Sequence, residues 1–241
     1  MIEQNLNKYS VRPKAVRYLL GYLVLFLGSV LAKTKIRGIE NIPKNGSFIV
    51  VCNHFNRLDP PFVIFAVKKP INFLMASDQP RVEAQIMWAP WLYGFIPTNR
   101  QNIAPTTIKN SLAALKRGEI VGIFPEGAAT EQIIRPAKNG AAYLAMRTGV
   151  QILPMSIIGM DNIWENWFKG VRPKIQINIG KPFQPTALPK DRLKRNQAIK
   201  MTGEEIMCRI AALMPDKYHG VYTNDERVNS YRLNVPSKSL Q

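Results

Sequence analysis

The sequence predicts an α/β fold preceded by an apolar, membrane-associated helix. Short β-branched runs alternate with helical patterns from Phe48 to Met214, which is the signature of strands interleaved with helices. An uncharged stretch, Tyr18 to Ala32, lies between two groups of cations near the N-terminus. The chain has 241 residues, of which 46% are apolar, so a folded core is expected and disorder is excluded. Thirty-three Lys and Arg against 16 Asp and Glu give a net charge of +17, which points to an anionic partner. Cys52 and Cys208 are the only cysteines, too few and too separated for a disulfide scaffold or a zinc site. A reducing compartment is the simplest expectation.

Lys8, Arg12, Lys14 and Arg17 precede the apolar stretch, and Lys33, Lys35 and Arg37 follow it. As a helix, its 15 residues would extend about 22 Å, short of the roughly 30 Å hydrocarbon core of a bilayer. Three readings compete: a signal peptide with Val30-Leu31-Ala32 as the cleavage site, a tilted span, and a helix embedded in one leaflet. The third is favoured, because apolar residues surround the helix and the flanking cations suit anionic headgroups.

After a Pro/Gly/Asn turn (Ile42 to Ser47), Phe48 to Cys52 reads as a buried strand. Asp59-Pro60-Pro61 reads as a helix start, with Asp59 as N-cap and proline in the first positions. Ile71 to Met75 is a strand and Thr106 to Lys116 a helix, with Ile108, Leu112 and Leu115 on its inner face. Ile120 to Phe124 is a buried strand ending at Pro125-Glu126-Gly127. Lys138 to Arg147 is a helix stopped by Gly149. Val150 to Ile158 is a strand whose Pro154 suggests an edge or a bulge. Ile175 to Ile179 alternates and is expected to be half-exposed. Ala198 to Met214 is a long amphipathic helix, and the polar tail from Pro215 is expected to be loosely held.

Candidate chemistry collects where strands end, which is where open α/β sheets place ligands. His54 directly follows a buried strand. A loop from His54 to Asp59 can fold back so that the carboxylate takes the Nδ1–H and leaves Nε2 as a general base; equally, the two can be a loop residue and a cap. No G-x-S-x-G or S-x-x-K motif supplies a nucleophile, so direct deprotonation of a substrate hydroxyl is indicated. Glu126 in Phe124-Pro125-Glu126-Gly127 can bind a polyol or simply close a turn, and Gly127 lets backbone approach closely. Arg100, closing Gly94 to Arg100 (GFIPTNR), can take phosphate bidentately or stand in solvent.

In order, Asn53 to Asp59 (NHFNRLD), GFIPTNR, FPEG and Ile152 to Met155 (ILPM) resemble the glycerolipid acyltransferase family, nearest its 1-acylglycerol-3-phosphate acyltransferases. Lys138 to Ala142 (KNGAA) is similar to a further stretch of that family. The likeness covers roughly residues 36–185. It implies a mixed β-sheet flanked by helices and acyl transfer from acyl-CoA or acyl carrier protein to a glycerol hydroxyl. No cofactor is implied beyond that donor. His54 would be the base and Asp59 its orienter; Arg100 would bind acceptor phosphate; Glu126 and Gly127 would position the acceptor, with Lys138 nearby; Pro154 would belong to the acyl-site block. The partners implied are a lyso-glycerophospholipid and an anionic membrane surface, at the cytoplasmic face of the cell membrane. The domains expected are a membrane-association segment over 1–35, an acyltransferase domain over 36–215 and a polar tail over 216–241.

Two departures stand out. The family commonly continues FPEG with Thr-Arg-Ser, where this chain has Ala128-Ala129-Thr130, one cation fewer, so glycerol-3-phosphate, a lyso-amino lipid or a lysophospholipid stays open as the alternative acceptor to 1-acylglycerol-3-phosphate. The family often has serine where this chain has Asn56. Nucleic-acid binding would explain the charge, yet there is no helix-turn-helix, zinc-finger or RNP-like pattern, and it leaves the apolar stretch unexplained. A non-catalytic membrane scaffold is disfavoured by the presence of His54, Asp59 and Glu126.

Overall fold

The run FIVVC forms β2 (Ile49–Cys52), buried at every position and central in a seven-stranded sheet. The computed structural model describes residues 12–76, 92–99, 104–129 and 131–232. The other strands are β1 (Lys33–Arg37), β3 (Ile71–Ala76), β4 (Ile96–Thr98), β5 (Ile120–Ile123), β6 (Ile152–Ile158) and β7 (Lys174–Ile179). Their order is β1-β7-β6-β2-β5-β3-β4. β2 to β6 are mutually parallel, β7 is antiparallel to β6, and β1 is parallel to β7, so the sheet is mixed.

Strand periodicity divides the core into two layers. Ile49, Val51, Val121 and Ile123 face α3 (Pro105–Lys116), α4 (Asn139–Thr148) and α6 (Arg192–Ala211). Phe48, Val50, Cys52 and Ile120 face α1 (Lys14–Leu31), α2 (Asp59–Val67) and α5 (Ile163–Phe168). β2 must be apolar on both faces because helices cover both.

α1 docks through one stripe only. Arg17, Leu20, Val24 and Gly28 face inward, and Gly28 lets the Phe65 ring approach so closely that a Cβ there would meet it at 2.8 Å. The C-terminal carbonyls of α1, which no helical N–H can reach, accept from Trp167 Nε1 at Leu31 and from Arg172 at Ala32. The opposite stripe is apolar and uncovered: Leu19, Tyr22 and Phe26 are 65–69% exposed. Among the described residues one helix, α1, is long and apolar enough to cross a membrane by length and composition.

Several local expectations change. Pro154 is not at an edge, since β6 lies between β2 and β7. It sits at a bulge: the bridge Ile152–Phe183 and the pair Met155–Ile179 leave two residues of β6 opposite three of the other chain. Its carbonyl accepts from Gly180 on that side, so its missing N–H falls where the ladder is interrupted. Asn178 of β7 is buried rather than exposed, because its Nδ2 donates to Leu213 O. α3 buries Thr107, Ser111, Ala114 and Leu115, while Ile108 only flanks the core. α6 starts earlier than expected because Asp191 caps it, accepting from Lys194 N–H, and its last residue is Ala211.

The stretch expected to hang loosely after Pro215 is docked as far as residue 232. Tyr218, Tyr222 and Val228 are buried, and His219 Nε2 lies 2.9 Å from Ala211 O and 3.1 Å from Met214 O. A buried imidazole thereby satisfies carbonyls left over at the end of α6.

Candidate active site

β2 and β5 are adjacent and parallel with Val51 opposite Ile123, so their loops leave the same end of the sheet in step. Three residues beyond that pair stand His54 and Glu126. The main-chain N–H of His54 donates to Glu126 Oε1 at 2.9 Å. Asn53 fixes the chain just before it: its side chain, fully buried, accepts from Ile157 N–H and donates to Ile157 O, both at 2.8 Å.

The loop after His54 turns back at once. Asp59 Oδ2 lies 2.9 Å from His54 Nδ1 and accepts from Asn56 N–H at 2.9 Å. Asp59 is therefore not the cap of α2, though prolines do occupy the first helical positions. Asn56 Oδ1 accepts from Leu58 N–H and its Nδ2 donates to Met160 O, which holds the turn on both sides. Burial raises the Asp59 carboxyl above its usual range, against the pull of His54.

With Asp59 taking the Nδ1–H, His54 is the tautomer whose Nε2 carries a lone pair. That nitrogen has no hydrogen-bond partner among the described residues, and the side chain is 19% exposed. The ring stacks on Phe124 with centroids 4.2 Å apart, and Phe124 stacks in turn on Phe73 at 5.6 Å. Gly122 makes room for this stack, since a Cβ there would meet the Phe73 ring at 2.5 Å. The result is a fixed imidazole with one open nitrogen.

Glu126 is buried, and both its oxygens are occupied: Oε2 accepts from Arg135 N–H at 3.3 Å and lies 3.5 Å from Arg135 Nε. Burial raises its carboxyl too, opposed by the His54 N–H and by Arg135. Arg135 also donates to Ala128 O. Gly127 adopts φ +77°, and a Cβ on it would meet the Lys138 side chain at 3.0 Å, so the exposed Lys138 chain passes over the FPEG turn.

The structure thus gathers His54, Asp59, Glu126, Gly127 and Lys138. Pro154 is buried in β6 against Gly180, and Arg100 lies outside the described residues. Sequence reasoning gave no role to Asn53, Phe124 or Arg135. The first two stand inside the quoted motifs, whereas nothing marks Arg135 in the sequence beyond its charge. Among the described residues no hydroxyl or thiol is a candidate nucleophile beside His54: the neighbouring Cys52 thiol is buried and held well above its ordinary pKa, first by that burial and then by Asp59 and Glu126.

Comparison with known proteins agrees with this geometry. The Acyltransferase family model matches residues 33–158, just over half the chain, a span that contains the dyad and the FPEG turn. A 1-acyl-sn-glycerol-3-phosphate acyltransferase of Bacillus subtilis is 28% identical over 161 residues, 64% of this chain and 76% of that protein. Another, from Streptococcus pneumoniae, is 25% identical over 235 residues, 95% of this chain and 84% of the relative. The crystal structure of the 1-acyl-sn-glycerophosphate (LPA) acyltransferase PlsC from Thermotoga maritima shares the fold, with a TM-score of 0.55 over 80% of each chain at 23% identity. On the family match and the site it encloses, the chain belongs to the acyltransferase family and is an enzyme of that family.

Proposed function

We propose that this enzyme transfers an acyl chain from an acyl thioester, on CoA or acyl carrier protein, to the free hydroxyl of 1-acyl-sn-glycerol-3-phosphate, yielding phosphatidic acid. The observation that carries the reading is the Asp59–His54 pair, with Nε2 open and no nucleophile in reach among the described residues. His54 Nε2 takes the hydroxyl proton as the oxygen attacks the thioester carbonyl. Collapse of the tetrahedral intermediate breaks the C–S bond, and the imidazolium returns the proton to the leaving thiolate. Asp59 stabilises that imidazolium. A positioned base contributes roughly 10²–10⁴-fold, and alignment of the two bound substrates supplies much of the rest. The acceptor named in the curated relatives supports lysophosphatidic acid here, as do Arg135 and Lys138 beside the FPEG turn.

Membrane attachment belongs to the same reading. The uncovered stripe of α1 is continued by α5, where Trp164 is 55% and Phe168 89% exposed, next to the Trp167 that holds the end of α1. Interfacial aromatics beside an apolar helix suit a protein embedded in one leaflet. The net charge of +17 suits an anionic surface at the cytoplasmic face, where acyl-CoA or acyl carrier protein is supplied. The test is purified enzyme with labelled acyl-CoA and a panel of lyso-acceptors, products identified by mass. Phosphatidic acid formed from lysophosphatidic acid supports the reading; preference for an acceptor without a phosphate monoester overturns it.

A further inference from the structure

Arg17 is the most unusual cation in the molecule. It lies in α1, is only 4% exposed, and its Nε and Nη2 have no hydrogen-bond partner among the described residues. A buried guanidinium left this way carries a desolvation cost that ordinary folding does not tolerate without compensation. Among the described residues its compensation comes from Tyr93: the guanidinium stands over that ring at 5.0 Å, and the Tyr93 hydroxyl interacts with it as well, which still leaves Nε and Nη2 unmet. Glu119 is within Coulombic range, but its oxygens are taken by Arg117 and Asn72.

Arg17 lines a cleft of about 290 Å³, open mouth included, between α1 and the end of α2. Two further cations, Lys68 and Lys69, line it, and no carboxylate does among the described residues. Lys69 is held by Pro43 O and Lys44 O, whereas Lys68 is exposed. Tyr18 and Tyr22 stand at the same cleft, at the border of the uncovered apolar stripe of α1.

We propose that this cleft binds a phosphoryl group, supplied by the headgroup of an anionic lipid and clamped by Arg17 and Lys68. A guanidinium with two unpaired donors matches two phosphate oxygens, and Lys68 adds a second charge. The lipid source follows from position: the cations sit where a leaflet covering the Leu19–Phe26 stripe would place its headgroups, with tyrosines at the interface. The site lies on α1 and α2, away from the His54 loop, and it is independent of which acceptor the enzyme uses.

The experiment is thermal unfolding of the full chain in dodecyl maltoside at constant ionic strength. The probes are dihexanoyl phosphatidylglycerol, dihexanoyl phosphatidylcholine and inorganic phosphate. Phosphatidylglycerol is neither acceptor nor product of the proposed reaction, so the result does not depend on that reading. At a hundredfold excess over Kd it should raise Tm by about 5–10 °C, and phosphatidylcholine should not. Arg17→Met should have a higher Tm than wild type without any probe, having lost an unpaired buried charge, and should lose the phosphatidylglycerol response. Lys68→Ala should need about tenfold more lipid for the same shift, and Lys14→Ala, equal in charge change and outside the cleft, should respond as wild type. An equal response to inorganic phosphate overturns the lipid source. A full response in Arg17→Met, or a lower Tm of that variant without probe, overturns the site.

Discussion

The amide of His54 donates to the carboxylate of Glu126 across 2.9 Å, tying the loop that carries the base to the turn that follows the neighbouring strand. On the proposed mechanism Glu126 acts as a positioning residue, and its side chain, 1% exposed, is turned inward. A hydrogen bond to a charged group contributes about 1.5–3 kcal/mol. Glu126→Ala should therefore lower kcat by roughly ten- to a hundredfold through a displaced His54. Glu126→Gln, which keeps an oxygen for that amide, should retain much more. Steady-state kinetics decides, and equal losses in both variants would place the charge of Glu126, not its hold on His54, at the centre.

Asp59 gives a prediction in pH. Its carboxyl is raised by burial, so the folded chain holds its proton above the ordinary range near pH 4. The ionised carboxylate then costs stability at neutral pH, and that cost vanishes below about pH 4. In Asp59→Asn the cost is gone at every pH. The Tm of the variant relative to wild type should rise between pH 4 and pH 7, while acyl transfer falls by about 10²–10⁴-fold. A relative Tm that falls over this range would contradict the assignment.

Gly122 offers a packing test. Alanine there would place a Cβ 2.5 Å from the Phe73 ring, which supports Phe124 and through it His54. Overpacking of this kind costs about 1–3 kcal/mol. Gly122→Ala should lower Tm and kcat together, and adding Phe73→Leu should recover part of both. Unchanged unfolding and activity in the single variant would show that the stack does not hold the base.

How far the sequence could be read depended on whether a feature was local. The alternation of strands and helices and the end of α4 at Gly149, left-handed at φ 65°, follow from neighbouring residues. The pairing of His54 with Asp59 was legible as one of two options, and only the backward turn at Asn56 decided against a cap. The sequence marked Glu126 as a candidate but not its hydrogen bond to the His54 amide, because that depends on the register of β2 with β5. The burial of Pro154 and Asn178 depends on strand order and on the chain near Leu213. The docking of the last segment depends on carbonyls at the end of α6 that His219 meets. Neither Arg135 at the turn nor the unpaired Arg17 has a local signal.

The proposed attachment to the bilayer rests on side chains that have no packing partners among the described residues. Leu19 and Phe26 are 69% and 65% exposed, so serine at both should leave the fold intact. Each apolar side chain transferred to lipid contributes roughly 1.5–3 kcal/mol. The double variant should partition onto neutral vesicles about a hundredfold or more weakly in flotation. Its residual binding to anionic vesicles should fall with salt. Undiminished flotation would show that α1 does not enter the lipid.

The central claim is that His54 deprotonates the acceptor hydroxyl itself. Single-turnover acyl transfer by His54→Ala, with enzyme in excess over labelled acyl-CoA and lysophosphatidic acid saturating, tests it most directly. The account predicts a fall in the chemical rate of at least a hundredfold, with folding and vesicle binding unchanged. A variant retaining a tenth of the wild-type rate would contradict it.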